Sequence, residues 1–337
     1  MTLRQAQGER PIGVLGAGAW GTALAQMLAS DGRAVLLWAR EAELVEEINA
    51  RHTNSLFLPS ASLAETIRAT GEAAEIAGCE VILAVTPAQH LDAVLRSLPR
   101  EPRDLVLCSK GIEAGTGRLM NEVAREAAPG SEIAVLSGPT FAHEVAAGLP
   151  TAVTLACGGG SQQWERLAPV VARPAFRPYY SDDVVGAEIG GAVKNVLAIA
   201  CGVVEGLGLG QNARAALIAR GYAEMLRFGE ALGADRDTLA GLCGLGDLVL
   251  TCSSTSSRNF SLGMALGQGK SAAELMADRK TVAEGAHTAP VLVELAARHG
   301  VAMPITTSVY HVLEGAPARE VVSDLLARPL TAEGSPA

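Results

Sequence analysis

A lysine inside an apolar helix pattern is the strongest candidate for a catalytic group in this sequence. Apolar residues recur at helical spacing over positions 189–201, and Lys194 falls within that segment. Burial in such surroundings strips water from the ammonium and lowers its pKa toward the range useful for proton transfer. The alternative is a snorkelling lysine, whose stem covers apolar surface while its head reaches water. The pattern alone leaves both interpretations open.

A loop rich in serine and threonine is the second candidate site. Asp247 precedes it, and Arg258 and Asn259 end it where a helix pattern begins. Backbone N–H groups at a helix start, the positive end of the helix dipole and a guanidinium are groups that bind phosphate. The same loop could serve only as a helix cap. Asp247 and Arg258, able to converge on one small anion and its hydroxyls, favour phosphate binding.

Three glycines near the N-terminus follow the spacing of a dinucleotide-binding turn. Gly16, Gly18 and Gly21 stand between an apolar run at 12–15 and a helix pattern rich in alanine and leucine. The first glycine makes the tight turn, the second lets a pyrophosphate approach, and the third lets the helix pack close to the strand. Glycine-rich turns are common, but this one has the required strand before it and helix after it. The sequence therefore predicts a dinucleotide site.

The end of the next predicted strand bears on which dinucleotide is bound. The apolar run at 34–38 is followed by Ala39 and Arg40. An acid at about this place bonds the ribose 2′-hydroxyl of NAD, whereas an arginine accommodates the 2′-phosphate of NADP. Arg40 therefore favours NADPH. Glu41 beside it has the opposite charge, and Arg40 could also be an ordinary solvated charge, so the preference stays open.

Further apolar runs predict buried parallel strands at 81–85, 105–109 and 133–136, with an additional interior strand at 151–156 and an edge strand at 176–180. Ligands of open α/β sheets lie outside the carboxyl ends of the strands. The residues there are Thr86 to Gln89, Lys110, and the Ser-Gly-Pro turn that begins at Ser137. Two interpretations of Lys110 stay open, a functional group and an ordinary surface lysine. The turn either lines the nicotinamide end of the site with its backbone or is only a loop stiffened by proline.

The character of the chain changes around positions 181–184, which predicts a sheet domain over 1–182 and a helical domain over 183–337. Beyond that point β-branched runs give way to alanine, leucine and glycine at helical spacing. The expected helices cover 189–201 with Gly202 as the stop, 212–232, a third beginning at 238–242, 257–266 and 289–299. The second domain is therefore expected to be almost entirely helical.

Composition excludes several classes of protein. The 337 residues are 49% hydrophobic and 19% charged, as in ordinary globular proteins of two domains. The net charge of -9 offers no overall basic surface for nucleic acid or an anionic membrane. No cysteines stand in C-x-x-C spacing, which favours free thiols in a reducing cytoplasm over a zinc site or disulfides. Neither a secretory signal nor a membrane span is expected.

Several motifs, in one order from about residue 12 to 325, closely resemble the bacterial NAD(P)-dependent sn-glycerol-3-phosphate dehydrogenases. They are GAGAWGTALA at 16–25, CSKGIE at 108–113, SGPTFA at 137–142, AVKN at 192–195, GLGDL at 244–248 and SRN at 257–259. The resemblance implies an α/β fold, with an N-terminal Rossmann-type, doubly wound, mostly parallel sheet. A C-terminal all-helical domain like that of 6-phosphogluconate dehydrogenase would follow it.

The resemblance also implies a reaction, the reduction of dihydroxyacetone phosphate to sn-glycerol 3-phosphate for glycerophospholipid synthesis. Lys194 would be the proton donor and acceptor, and the cofactor would be NADP(H) by preference, with NAD(H) possible. The implied substrate-binding residues are Lys110, Gly138, Thr140, Lys194, Asp247, Ser257, Arg258 and Asn259. The implied cofactor-binding residues are Gly16, Gly18, Ala19, Trp20, Gly21, Arg40, Lys110, Ala142, Arg258, Val282 and Glu284, with Gly138 and Thr140 also at the dinucleotide.

One departure from the family pattern is Ala19, where serine or threonine is frequent, so a side-chain bond to the pyrophosphate is lost. No metal is expected. The protein is expected to be cytoplasmic and to form a homodimer, because helical domains with continuous apolar stripes often pair. Two alternatives stay open. One is a reductase of another small acid, of the 3-hydroxyacid or ketopantoate type. The other is a dinucleotide sensor without catalysis.

Overall fold

The N-terminal part of the chain forms one sheet of eight strands in a computed structural model that describes residues 10–99, 103–277, 283–330 and 332. The strand order is β3-β2-β1-β4-β5-β6-β7-β8. Neighbouring strands are parallel except β6 and β7, which are antiparallel. The strands are β1 Ile12–Leu15, β2 Val35–Trp38, β3 Ile67–Thr70, β4 Val81–Ala84, β5 Asp104–Leu107, β6 Glu132–Ser137, β7 Thr151–Cys157 and β8 Phe176–Ser181.

The strand order places a topological switch between β1 and β4. From β1 the chain winds outward through β2 to β3, then returns to the other side of β1 and continues from β4. A ligand crevice opens at such a point, outside the carboxyl ends of the strands. The predicted doubly wound, mostly parallel sheet is confirmed, as is the edge position of β8. Strand β3 was not predicted, because Arg68 interrupts its short apolar run.

Short helices connect and cover the strands. They are α1 Ala19–Leu28, α2 Ala42–Arg51, α3 Ala73–Ile76, α4 Leu91–Arg96, α5 Met120–Ala127, α6 Ala142–Ala146 and α7 Gly160–Val171. Strands β1 and β4 are entirely buried, as a parallel sheet covered on both faces requires. Short βα connections therefore deliver the chain to the same sheet edge after each parallel strand.

The C-terminal part is helical in all its described elements, as predicted. Its helices are α8 Val184–Gly206, α9 Gly210–Ala231, α10 Arg236–Ala240, α11 Asp247–Thr251, α12 Arg258–Gly267, α13 Ala272–Ala277, α14 Glu284–Arg298, α15 Pro304–Leu313 and α16 Ala318–Leu326. A single π-helical turn, Leu242–Gly246, leads directly into α11. The last strand of the sheet ends at Ser181 and α8 begins at Val184. The division of the chain at residue 182 stays a prediction.

The helix predicted over 189–201 is longer at both ends, and the prediction that Gly202 stops it is wrong. Gly202 lies inside α8, where an added Cβ would be 2.0 Å from the carbonyl oxygen of Phe260. An added Cβ on Gly263 of α12 would likewise be 2.0 Å from the Ile199 carbonyl oxygen. These glycines therefore allow α8 and α12 to pack backbone against backbone. The glycine marks a close helix contact, which a local pattern cannot distinguish from a helix end.

The other predicted helices are shifted by a few residues. The largest error is α14, which begins at Glu284, five residues before the predicted start at 289. Its first turn contains Gly285, whose N–H donates to the side chain of Asn259 at 2.9 Å. An added Cβ on Gly285 would lie 2.5 Å from the Asn195 carbonyl oxygen. A tertiary contact thus stabilises a helix start whose local sequence is unfavourable.

Helix α8 is the centre of the helical part. By length and composition it could cross a membrane, since its most apolar 18-residue segment has a mean hydropathy of 1.5. However, 94% of that segment is buried inside the protein. Helix α8 is thus apolar because it is a core helix that packs against other helices on its sides. Its Glu188 also contacts the sheet side, accepting bonds from the backbone and side chain of Asn121 at 2.7 Å each. The six cysteines are buried free thiols.

Candidate active site

Three charged side chains from distant parts of the chain meet beside the carboxyl edge of the sheet. The Asp247 carboxylate lies 2.6 Å from Lys194 Nζ and 2.7 Å from Lys110 Nζ, one lysine on each oxygen. Lys110 follows β5, Lys194 lies in the middle of α8, and Asp247 is the first residue of α11. The sheet and the helical part therefore each contribute a lysine to one buried carboxylate.

The two lysines have different electrostatic environments although they share a carboxylate. Burial lowers the pKa of Lys194 to about 7, which Asp247 opposes and the neighbouring Lys110 reinforces. Burial also lowers the pKa of Lys110, but its ion pair with Asp247 outweighs that effect and leaves the pKa above its ordinary value. Burial raises the pKa of Asp247, yet the two lysines hold it below the usual range. At neutral pH Lys110 is thus a permanent cation and Lys194 can exchange a proton.

Three further hydrogen bonds hold this cluster in place. Thr251 Oγ1 accepts a bond from Lys194 Nζ at 3.1 Å and donates to Asp247 Oδ1 at 3.2 Å. Lys110 Nζ also donates to the Gly138 carbonyl oxygen at 3.4 Å. The sequence analysis placed Thr251 in the hydroxyl-rich loop, whereas the structure makes it the last residue of α11, four residues after Asp247 and on the same helix face. Lys194 is 4% exposed, which decides for the buried lysine between the two interpretations that the sequence left open.

The start of α12 presents the groups predicted to bind phosphate. Ser257 is the N-cap residue, and its Oγ accepts a bond from Phe260 N at 3.2 Å. Asn259 Nδ2 donates to Asn195 Oδ1 at 3.0 Å, which ties α12 to the residue after Lys194. Arg258 itself is exposed. Ser257 and Asn259 therefore stabilise the helix start, while Arg258 remains accessible to a ligand.

Glu284 is the first residue of α14, and it lies close enough to Arg258, Lys110 and Lys194 for their positive charges to act on it. Burial raises the pKa of Glu284 to about 7, against the lowering effects of Arg258, Lys110 and Lys194. Helix α14 thus brings an acid close to the cluster of Lys110, Lys194 and Asp247. Val282, two residues earlier, lies outside the described residues.

The glycine-rich turn has the geometry that a bound pyrophosphate needs. Gly16 has φ +116°, and an added Cβ on Gly21 would lie 1.8 Å from the Gly16 carbonyl oxygen, so α1 packs tightly on the turn. An added Cβ on Gly18 would meet nothing within 4 Å, which shows that its side of the turn is open. Gly18 is the N-cap of α1, and neither a side-chain cap nor an acid occupies its first turn. The free N–H groups and the positive dipole end therefore face this open side.

A buried asparagine braces that turn, and sequence reasoning did not find it. Asn54 is 0% exposed and donates from Nδ2 to the Ala17 carbonyl oxygen at 2.9 Å and to Thr22 Oγ1 at 2.8 Å. Thr22 Oγ1 itself donates to the Ala17 carbonyl oxygen at 3.1 Å. The carbonyl between two glycines is thus bound from two sides. Asn54 belongs to a loop far along the chain, so no local pattern points to it.

Two unpartnered polar atoms beside the turn fit a dinucleotide. Trp20 Nε1 and Thr86 Oγ1 are buried without a hydrogen-bond partner in the described part of the chain. Trp20 stands in the first turn of α1, and Thr86 follows β4, with its backbone N about 3.3 Å from an added Cβ on Gly16. Buried polar groups are nearly always hydrogen-bonded, so such atoms in a crevice are available to a ligand. The open turn and these donors together fit a dinucleotide.

The remaining predicted cofactor residues are spread along the same edge. Arg40 follows β2, and its side chain is 78% exposed and bonded to Glu41 at 3.0 Å. Ala19 and Ala142 are the first residues of α1 and α6. Thr140 Oγ1 donates to the Gly138 carbonyl oxygen at 3.2 Å, beside the contact from Lys110. Among the described residues, no group of three or more histidine, cysteine or acidic side chains is arranged to hold a metal ion.

A doubly wound sheet with an open glycine-rich turn, facing a helical domain that supplies a buried lysine, defines a two-domain NAD(P)-dependent dehydrogenase. Family models for the N-terminal and C-terminal parts of NAD-dependent glycerol-3-phosphate dehydrogenase match residues 11–163 and 183–323. The chain belongs to the NAD-dependent glycerol-3-phosphate dehydrogenase family and is an oxidoreductase of this class. The resemblance seen in the motifs is thereby confirmed.

Relatives match over almost the whole length. The NAD(P)+ glycerol-3-phosphate dehydrogenase of Erythrobacter litoralis is 76% identical over 322 residues. The match covers 96% of this chain and 97% of the relative. One of Novosphingobium aromaticivorans is 72% identical over 323 residues, or 96% and 98% of the two chains. The crystal structure of glycerol-3-phosphate dehydrogenase from Coxiella burnetii has a TM-score of 0.90 at 41% identity, covering 95% and 99%.

Proposed function

We propose that this protein reduces dihydroxyacetone phosphate to sn-glycerol 3-phosphate with NAD(P)H and also catalyses the reverse reaction. The observation that carries the proposal is the buried cluster of Lys194, Asp247 and Lys110 at the sheet edge. The start of α12, where Arg258 lies, is tied to this cluster by the bond from Asn259 to Asn195, the residue after Lys194. The relatives named as glycerol-3-phosphate dehydrogenases support it. The direct test is NADPH oxidation, followed by absorbance, on addition of dihydroxyacetone phosphate.

Lys194 supplies the proton in the proposed reaction. The nicotinamide cofactor, when bound, supplies hydride to C2 of the substrate. Negative charge develops on the carbonyl oxygen, and this oxygen takes a proton from Lys194 Nζ. The pKa of Lys194, about 7, allows it to release that proton at neutral pH. Asp247 orients the ammonium, and the permanent charge of Lys110 stabilises the developing alkoxide more than the neutral ketone. In the reverse direction neutral Lys194 accepts the proton.

Arg258 and the start of α12 would bind the substrate phosphate, and that binding positions C2 against Lys194. We expect Arg258→Ala to lower kcat/KM for dihydroxyacetone phosphate by roughly 10- to 100-fold, because a charge-assisted hydrogen bond contributes about 1.5–3 kcal/mol. Turnover of unphosphorylated dihydroxyacetone should change little in the same variant. The measurement is kcat/KM for both ketones in wild type and variant.

Arg236→Ala is the matched control for Arg258→Ala. Arg236 is also an exposed arginine of the helical part, bonded to Glu230 at 2.6 Å, at the start of α10. Its loss should leave kcat/KM for the phosphorylated ketone within twofold. Equal efficiency of wild type on the two ketones would remove the phosphate assignment and favour a reductase of an unphosphorylated acid. NADPH binding without turnover of any tested ketone or hydroxyacid would favour a sensor.

We infer that NADPH is preferred over NADH, on the position of Arg40 after β2. Arg40→Asp should lower kcat/KM for NADPH by roughly 10- to 100-fold, because a charge-assisted bond to the 2′-phosphate is lost and a repulsive charge is added. The aspartate should preserve or improve kcat/KM for NADH, by binding the ribose 2′-hydroxyl. The measurement is the ratio of kcat/KM for the two cofactors at saturating substrate.

The control for Arg40→Asp is Arg51→Asp at the opposite end of α2, about 15 Å along the helix. The same change of charge there should leave the cofactor ratio unchanged. An unaltered ratio in Arg40→Asp would discard Arg40 as the selector and keep the reaction. Glu41, which pairs with Arg40, reduces the positive potential at this position and fits use of both cofactors.

We further infer that the product enters glycerophospholipid synthesis in the cytoplasm and that the enzyme is a homodimer. Leu245 and Val249 support self-association, since these apolar side chains lie one helical turn apart and are 37% and 47% exposed. Closed symmetric dimers are the commonest assembly of soluble proteins. Light scattering coupled to gel filtration measures the assembly directly.

A further inference from the structure

A buried serine at the end of β6 has a hydroxyl that the proposed chemistry does not use. Ser137 is the last residue of β6 and is 4% exposed. Its Oγ has no hydrogen-bond partner among residues 10–99, 103–277, 283–330 and 332. A buried hydroxyl without a partner costs about 1–3 kcal/mol, and one that lies beside a binding site can obtain the missing partner from a ligand.

The hydroxyl is aimed at the seam between the sheet edge and α8. An added Cβ on Gly191 would lie 3.2 Å from Ser137 Oγ and 3.5 Å from Lys110 Cγ. Gly191 precedes Lys194 by one turn of α8, on the same side of the helix. Ser137 also precedes Gly138, whose carbonyl oxygen accepts the bond from Lys110. The unpartnered Oγ therefore stands among the residues that surround Lys110 and Lys194.

We propose that Ser137 is a further ligand-binding residue, whose hydroxyl bonds an uncharged amide or hydroxyl group of the ligand at the reacting end of the site. This inference rests on the proposed function. Two ligand groups have the required chemistry, the carboxamide of nicotinamide and the hydroxyl of the substrate. A hydroxyl can both donate and accept, so it suits either group. In the ligand-bound protein the bond removes the penalty of the unpartnered Oγ.

The experiment compares Ser137→Ala with Ser131→Ala. Ser131 Oγ is also buried and unpartnered in the described part of the chain, but Ser131 precedes β6, about 20 Å away at the opposite end of the strand. Each variant removes one oxygen and leaves the rest of the side chain. The full-length protein is measured for its Tm, for the Kd of NADPH by fluorescence without substrate, and for the KM of dihydroxyacetone phosphate at saturating NADPH.

We expect Ser137→Ala to weaken ligand binding by about 3- to 10-fold without loss of stability. The Tm should be unchanged or raised by about 2–4 °C, because an unpartnered buried hydroxyl has been removed from the free protein. A raised Kd for NADPH assigns the bond to the nicotinamide, and a raised KM with unchanged Kd assigns it to the substrate. Ser131→Ala should leave Kd and KM unchanged.

Unchanged Kd and KM in Ser137→Ala would overturn the proposal, and so would a fall in Tm of more than about 4 °C, which would indicate a structural hydroxyl. Failure of the proposed function is seen separately, as wild type that does not oxidise NADPH with dihydroxyacetone phosphate. In that case the Kd of NADPH alone decides, and an unchanged value overturns the assignment of Ser137.

Discussion

Replacing Lys194 with alanine is expected to lower kcat for the reduction of dihydroxyacetone phosphate by roughly 10²–10⁴-fold, the usual contribution of one positioned acid or base. The reason is that Lys194 is the lysine of the cluster whose pKa, about 7, lets it exchange a proton at neutral pH. The Kd of NADPH should change little, because the lysine acts on the carbonyl oxygen of the substrate. Stopped-flow oxidation of NADPH measures the chemical step directly.

Two further variants separate the lost proton from a lost side chain. Lys194→Met fills the same buried volume without an ammonium, and it should be as inactive as the alanine variant while folding normally. Lys270→Ala removes an exposed lysine after α12 and should leave kcat unchanged. Small primary amines added to Lys194→Ala should restore part of the rate. Near-normal turnover of Lys194→Ala would contradict the assignment.

The pH dependence of the wild-type rate supplies an independent readout of the same residue. Reduction needs protonated Lys194, so its rate should be full below the pKa of about 7 and fall as the pH rises through that value. Oxidation of sn-glycerol 3-phosphate needs the neutral amine, so its rate should rise over the same range. A profile without an inflection near pH 7 in either direction would argue against Lys194 as the titrating group.

Replacing Asp247 with asparagine should reduce both activity and stability. Asp247 is fully buried between two lysines, and its charge holds the pKa of Lys194 up against burial. Without that charge the pKa of Lys194 falls further, by about 1–3 units, and the decline in the reduction rate moves to lower pH by the same amount. At neutral pH Lys194 then lacks its proton, and kcat for reduction should fall by roughly 10- to 1,000-fold.

The stability of Asp247→Asn should fall by about 3–5 kcal/mol, because the buried cation of Lys110 loses its partner and the buried Lys194 must give up its proton. Urea denaturation at several pH values measures this loss, which should shrink as the pH rises and the lysines release their protons. Asp104→Asn is the matched control. Asp104 also accepts bonds from charged and polar side chains, Arg166 and Gln163, but it lies at the start of β5, whereas Lys110 follows the end of that strand. It should leave kcat and the pH profile unchanged. An unshifted pH profile in Asp247→Asn would show that Asp247 does not tune Lys194.

Much of the fold could be predicted because the spacing of glycines and apolar residues along the chain directly favours particular strands, turns and helices. The glycine spacing predicts strand, turn and helix, and the structure contains β1, the turn and α1 in that order. Apolar runs predicted the strands that are buried on both faces. The short β3 escaped because four residues with an arginine carry too little apolar pattern. The antiparallel direction of β7 has no local signal, because direction depends on how the chain crosses the sheet.

Two glycines of the helical part were harder to interpret from the sequence. Gly202 in α8 and Gly285 in α14 have local sequences typical of helix ends, yet both lie within helices. At each position the backbone of another helix approaches more closely than any side chain would allow. Whether a glycine ends a helix or admits a neighbour is decided by the partner, which the local sequence does not contain.

The sequence by itself determined the two kinds of domain and the strand, glycine-rich turn and helix at the N-terminus, because each follows from the pattern of neighbouring residues. The burial of Lys194 was decided by the structure, since the helical pattern fitted a buried and a snorkelling lysine equally well. Only the tertiary structure decided that Lys110 and Lys194 share Asp247, that Asn54 braces the glycine turn, and that Ser137 is left without a partner. These relations join residues far apart in the chain. They depend on strand order and helix packing, which the whole chain sets and no single segment encodes.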